Sequence, residues 1–170
     1  MSANKYIALV TGKLKEVFGT VISAGVANAN QIVALDSTGH LDTSVMPVGI
    51  TAEVITAPSS ESLAAGAFVN IYNNAGALNV RNADSTTNAK QAHGFVLAAV
   101  TSPATATVYL ISQTNTQLSS LTIGSDYFLG TTGSATSTPP STTGNIVQFL
   151  GRAQSATALV FVNELTYEVA

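Results

Sequence analysis

The sequence predicts an all-β protein: an antiparallel barrel or jelly-roll-like sandwich built from two similar four-strand halves, preceded by an extended N-terminal arm. Three observations predict it. Short runs of β-branched and aromatic residues recur from Thr51 onward, separated by Gly, Asn, Ser and Pro. Glycines and apolar residues repeat along the chain at an offset near 57 or 58. Residues 1–50 share neither feature.

Residues 1–50 read as an arm and connector. In "IALVTGKLKEVFG", Leu9, Leu14, Val17 and Phe18 can share one face of a short helix over Ile7–Phe18, which Gly12 weakens. The alternative is extended structure throughout. An arm lying on a neighbouring subunit needs apolar residues without a closed periodicity, and this stretch has them. The following "ALDSTGHLDTSVMPVGI" is dense in Asp, Ser, Thr and His. Its "DSTG" suggests the loop of an aspartic protease, but that chemistry needs two carboxylates sharing one proton, and no second loop exists. The segment reads instead as a turn in which Asp36 caps its own backbone and Gly39 takes a positive φ.

Residues 51–170 read as the β domain. "AFVNIYN" alternates Phe68, Asn70 and Tyr72 against Val69 and Ile71, and "GALNVRN" sets Leu78 and Val80 against Asn79 and Arg81. "GFVLAAV", "ATVYLIS", "DYFLG", "NIVQFLG" and "ALVFVNEL" continue the series. The repeat aligns Leu63 with Leu121, Gly66 with Gly124, Gly76 with Gly133, Gly94 with Gly151 and Tyr109 with Phe161. It defines half-repeats at about 59–112 and 117–165, too small to bury a face alone and so expected to pack together. Gly66, Gly76, Gly124 and Gly133 are the expected turn formers. "RNADSTTNAKQ" and "GTTGSATSTPPSTTGN" read as exposed loops, since Pro139 and Pro140 cannot sit in a paired central strand.

Charged residues make up 9% of the 170, against a usual value of about 25%. A surface this neutral suits a chain that ends up packed against others. The net charge is −3 and no basic stripe is present, so nucleic acid is not an expected partner. No apolar run is long enough to span a bilayer, the N-terminus lacks the apolar core of a signal peptide, and there is no cysteine. Synthesis in a cytoplasm, with no membrane partner, is the expectation.

The chemistry-bearing residues do not form a catalytic or metal-binding pattern. His40 and His93 are the only histidines and lie in different segments. There is no G-x-S-x-G elbow, "TGK" lacks the upstream glycine of a phosphate loop, and "SANK" is a chance Ser-x-x-Lys match. Aromatics are 6% with no Trp, little material for a sugar-stacking groove. The expected sets of catalytic, cofactor-binding and metal-binding residues are therefore empty.

"NQIVALDSTGHLDTSVMP", with Leu35, Asp36, Gly39, Leu41, Asp42, Ser44 and Pro47, resembles a segment of tailed-bacteriophage structural proteins that leads into a β domain. "LAAGAFVNIYNNAGALNVRNAD … AHGFVLAAV" and "GSDYFLGTTGSATSTPPSTTGNIVQFLGRAQSATALVFV" are similar to β modules of capsid decoration (cement) and head-fibre proteins. The resemblance covers about residues 30 to 162. It implies a non-enzymatic virion protein, made in the host cytoplasm, that sits on the outer capsid surface as a homotrimer and bridges copies of the major capsid protein. It makes Leu41, Val45, Met46, Pro47 and Val48 of the connector partner contacts. Leu9, Val17 and Phe18 are the contacts expected of the arm. Low charge implies adhesion that depends little on salt. A head- or tail-fibre adhesion module is the alternative it leaves open.

Overall fold

The computed structural model describes residues 5–46, 53–164 and 166–170. The protein is all-β. Among the described residues there is no α-helix, only strands and two 3₁₀ turns at Gly25–Asn28 and Thr43–Val45. The chain divides into two compact units, residues 1–51 and 52–170.

The first unit opens with a hairpin of β1 (Lys5–Val10) and β2 (Lys13–Phe18). The helix permitted by the Leu9, Leu14, Val17 and Phe18 spacing does not form. Thr11 and Gly12 hold φ of 51° and 77°, the left-handed pair of a two-residue hairpin turn. That turn folds the chain back, so Leu9 faces Leu14 across the strands instead of following it around a helix. Beyond the hairpin, Thr20 bridges Val33 in parallel, with hydrogen bonds of 2.9 Å from Thr20 N–H to the Ile32 carbonyl and from Ala34 N–H to the Thr20 carbonyl.

The second unit contains β3 (Val54–Pro58), β4 (Phe68–Asn74), β5 (Ala77–Asn82), β6 (Gly94–Phe95) and β7 (Thr105–Tyr109), then β8 (Thr114–Asn115) and β9 (Asp126–Leu129). It ends with β10 (Ala135–Thr136), β11 (Ile146–Val147), β12 (Phe149–Arg152), β13 (Leu159–Val160) and β14 (Tyr167–Glu168). The largest sheet has five antiparallel strands, where the sequence suggests four, in the order β3-β7-β6-β4-β5. β9 lies between β10 and β12, and β8 pairs with β13. β12 reaches β13 through one bridge, Ala153 to Leu159, and through Val162 N–H to the Leu150 carbonyl at 2.8 Å. Among the described residues no sheet closes into a barrel, although Ser59, just beyond β3, bridges Val80 of β5.

The same local construction occurs around Gly66 and Gly124. Ala67 N–H closes a turn on the Ala64 carbonyl and Ser125 N–H on the Thr122 carbonyl, both at 3.1 Å, with Gly66 at φ +79° and Gly124 at φ +78°. Gly66 N–H then donates to Val96, and Gly124 N–H to Ala153. In the strands that follow, Val69 pairs with Gly94 beside Phe68 with Phe95, and Tyr127 pairs with Gly151 beside Asp126 with Arg152. The turns at Ala75–Gly76 and Thr132–Gly133 both use two residues of positive φ. A Cβ at Gly94 would lie 2.5 Å from the Tyr109 carbonyl oxygen, and one at Gly151 would lie 2.0 Å from that of Val160. Val160, not Phe161, therefore stands where Tyr109 does, one residue from the alignment read in the sequence. The glycine anchors hold the register through the first three strands, and no glycine anchors the last.

The core has two clusters. Val69, Val80, Val96 and Val108 pack in one; Phe68, Phe95, Leu129, Leu150, Leu159 and Phe161 pack in the other. Successive residues Phe68 and Val69 are both fully buried because this end of β4 is covered on both faces. Simple alternation therefore misjudges it, and it misjudges β5 too: Val80 is buried while Leu78, on the same face, is 52% exposed.

The polar segment Arg81–Gln91 is likewise more integrated than its composition suggests. Ala83 N–H donates to the Phe68 carbonyl, Ser85 N–H to Gly130 and Ile146 N–H to Ser85, at 2.7–3.0 Å, and Ala83 and Ser85 are buried. Buried Gln148 acts in the same way. Its amide accepts from Ala92 N–H at 2.7 Å and donates to the Ala92 carbonyl at 2.8 Å, replacing a strand neighbour. No buried side-chain nitrogen or oxygen among the described residues lacks a hydrogen-bond partner.

Candidate attachment surface

Residues 5–46 contain no buried residue. Fifteen large apolar side chains of the described chain are prominently exposed, and ten lie here: Ile7, Leu9, Leu14, Phe18, Ile22, Val26, Ile32, Val33, Leu35 and Leu41. Single exposed apolar residues are ordinary, but a contiguous set marks a surface awaiting a partner.

The hairpin register sorts the set into two faces. Ile7, Leu9, Leu14 and Phe18 point to one side with Lys5 and Glu16; Tyr6, Ala8, Val10, Lys13, Lys15 and Val17 point to the other. On the first face Lys5 Nζ donates to Glu16 Oε2 at 2.6 Å and stands 5.1 Å from the centroid of the Phe18 ring. That face is therefore apolar and electrically neutral, with side chains 59–75% exposed at its four apolar positions. The second face is half-buried at Tyr6, Ala8, Val10 and Val17 and carries two cations. Leu9 and Phe18, expected contacts, thus share the open face, while Val17 lies on the opposite one. Ile7 and Leu14 complete the open face. Ile7 is not among the expected contacts, and the readable signal for its place on this face is strand alternation on either side of "TG".

The connector is shaped by short polar side chains. Asp36 Oδ1 accepts from Thr38 N–H at 2.8 Å, Thr38 Oγ1 at 2.7 Å and His40 N–H at 3.0 Å, and Asp36 N–H donates to the His40 carbonyl. The hydrogen bonds from His40 N–H and Thr38 hold the Asp36 carboxyl down to about 2. Gly39, at φ +83°, completes the turn. Asp42 caps the 3₁₀ turn by accepting from Ser44 N–H at 2.9 Å, and hydrogen bonding with Ser44 lowers its carboxyl as well. Ser44 Oγ in turn accepts from Ser23 N–H at 2.8 Å, tying the connector to the segment before it. Leu41 is exposed; Val45 and Met46 are half-buried. Pro47 and Val48 lie outside the described residues.

The remaining named positions lie in the second unit. Gly66 sits against Gln117, with 2.7 Å from a Cβ position to the Gln117 carbonyl oxygen, whereas Gly124 and Gly76 face open space. Gly133 is wedged against Phe68, Ala67 and Asn82, and its carbonyl accepts from Phe68 N–H at 2.9 Å. His93 is half-buried, and its Nδ1 accepts from Ile71 N–H at 3.0 Å; burial pushes the imidazole below its ordinary value. Among the described residues no three His, Asp or Glu side chains gather as a metal site.

No family model matches the chain, and comparison with curated proteins gives no match. Among solved structures it is similar to the head fiber gp8.5 N base of bacteriophage phi29. The likeness is 15% in sequence identity, with a TM-score of 0.42, over 69% of this chain and 100% of that one.

Proposed function

We propose that this chain is a non-enzymatic virion protein of a tailed bacteriophage that decorates and stabilises the outer surface of the capsid. The observation that carries the reading is the neutral, open hairpin face of Ile7, Leu9, Leu14 and Phe18, in a unit with no buried residue among those described. A two-stranded hairpin is marginal in water and gains stability when a partner covers such a face. The sequence resemblance supplies the partner: copies of the major capsid protein, bridged at capsomer junctions by a homotrimer. Several arms engaging together raise the residence time beyond that of one arm. The β domain is read as a duplicated unit forming a sandwich.

A head-fibre or receptor-binding module is the second reading. It is favoured by the loop between β10 and β11, where Thr138, Pro139, Ser141, Thr142 and Thr143 are exposed.

The test is co-sedimentation of the full-length protein with empty shells, comparing the native chain with Leu9→Ser/Leu14→Ser. Binding that survives ~1 M salt and is lost in the variant supports decoration through the open face. Binding equal in both would reject that face, and binding to host envelopes but not to shells would favour the fibre.

A further inference from the structure

The hairpin's second face and the connector match one another in charge. Residues 5–18 carry Lys5, Lys13 and Lys15 against Glu16, a net charge of +2. Residues 19–46 carry Asp36 and Asp42 and no Lys or Arg, a net charge of −2. Among the described residues the ion pairs are Lys5–Glu16 and Arg152–Asp126, so Lys13, Lys15, Asp36 and Asp42 are all unpaired. Charge is scarce in this chain, and within residues 5–46 its two signs are separated along the sequence.

We propose that the lysine face of the hairpin in one copy docks on the Asp36–Asp42 connector of a second copy. The inference rests on reading residues 1–51 as an attachment device, and it names the partner of one of that unit's two faces. Lys13 and Lys15 are two residues apart on one strand, so both ammonium groups leave the same side, with Cα atoms about 7 Å apart. Asp36 and Asp42 flank one turn, which the hydrogen bond from Asp36 N–H to the His40 carbonyl closes at 2.8 Å, so the connector presents two carboxylates to match two cations. Each carboxylate binds the connector through Oδ1, and among the described residues Oδ2 has no hydrogen-bond partner. Val10 and Ala8 sit across from the two lysines, and Leu35 and Leu41 flank the two aspartates, so apolar material lines both sides of the seam.

A second copy suits this better than an unrelated surface because it brings both complementary patches. Hairpin on connector is a head-to-tail contact, with different surfaces meeting, so repetition builds a ring where the rotation closes and a filament where it does not. Docking through the lysine face leaves the opposite face of Ile7, Leu9, Leu14 and Phe18 free for the shell. The two faces then differ in salt response: copy-to-copy association weakens with salt, while adhesion through the neutral face does not.

The experiment is light scattering of the full chain against concentration, in low salt and ~1 M salt, for the native protein and for Lys13→Glu/Lys15→Glu. Association in low salt that weakens at least about tenfold in high salt, and about as much in the variant, is the expected result. Adding Asp42→Lys to the lysine variant should restore part of it, and circular dichroism checks that each variant is folded. A monomer at all concentrations overturns the inference. So does association unchanged by salt and by the lysine substitutions. If the lysine variant stays assembled but releases shells, the lysine face belongs to the shell, the inference fails and the attachment reading stands.

Discussion

Phe68 faces Phe95, and Asp126 faces Arg152, at corresponding places beside Gly94 and Gly151. The pairing beside the glycine corresponds in both, yet the side chains are opposites. The phenylalanines are fully buried, 6.2 Å apart edge to face, and join Phe161. The charged pair meets at 2.8 Å with side chains 45% and 67% exposed. One register position lies inside the shared core and the other faces water. A position that faces water must be polar to stay solvated, whereas one inside the core can be aromatic.

The largest effects should come from the buried member of the comparison. Phe68→Ala removes a ring from the centre of a cluster and should cost about 3–5 kcal/mol in urea unfolding. Arg152→Gln, at the corresponding strand position, should leave the midpoint unchanged, because an exposed ion pair is screened by water. Equal effects would mean that the two sites are not distinguished by burial.

A second contrast sharpens it. Gly66→Ala forces a left-handed alanine against the Gln117 backbone and should cost about 3 kcal/mol. Gly124→Ala meets open space and should cost only the backbone term, about 1 kcal/mol. The difference measures how far residue 117 closes the first turn.

The smallest effects are those of pH. His93 titrates below its ordinary value because it is half-buried, so the unfolded chain takes up the proton first. Stability should be full above about pH 6.5 and decline as pH falls through the folded value, and His93→Gln should flatten that slope. Asp36 behaves similarly at lower pH. Its turn should hold above the ordinary carboxylate range and loosen as pH falls toward about 2, visible as loss of protection at the Thr38 and His40 amides.

Much of the strand content was readable. "AFVNIYN" is β4, "GALNVRN" is β5 and "DYFLG" is β9, because β-branched and aromatic runs bounded by turn residues have few other outcomes. The turn glycines were readable for a related reason: Gly66, Gly76, Gly124 and Gly133 all hold positive φ, which other residues adopt at a cost. The hairpin was legible in retrospect. "TG" between two alternating runs is a turn signal, but the apolar spacing of Leu9, Leu14, Val17 and Phe18 fits a helix as well as strands. The burial of Arg81–Gln91 was not legible. Ser85 and Ala83 are buried because the carbonyls of Phe68 and Gly130 lie beside them, and those partners are distant in sequence.

By itself, the sequence determined the class of the fold, the places where the chain turns, and a surface poor in charge. These follow from properties carried by single residues and their neighbours: β-branching, glycine's access to positive φ, and composition. Only the tertiary structure decided which residues of a strand are covered, that Phe68 and Val69 are both buried, and that the faces of the hairpin differ. Burial and charge matching are set by what lies across the sheet, and that neighbour is chosen by pairing, which no local run of sequence specifies.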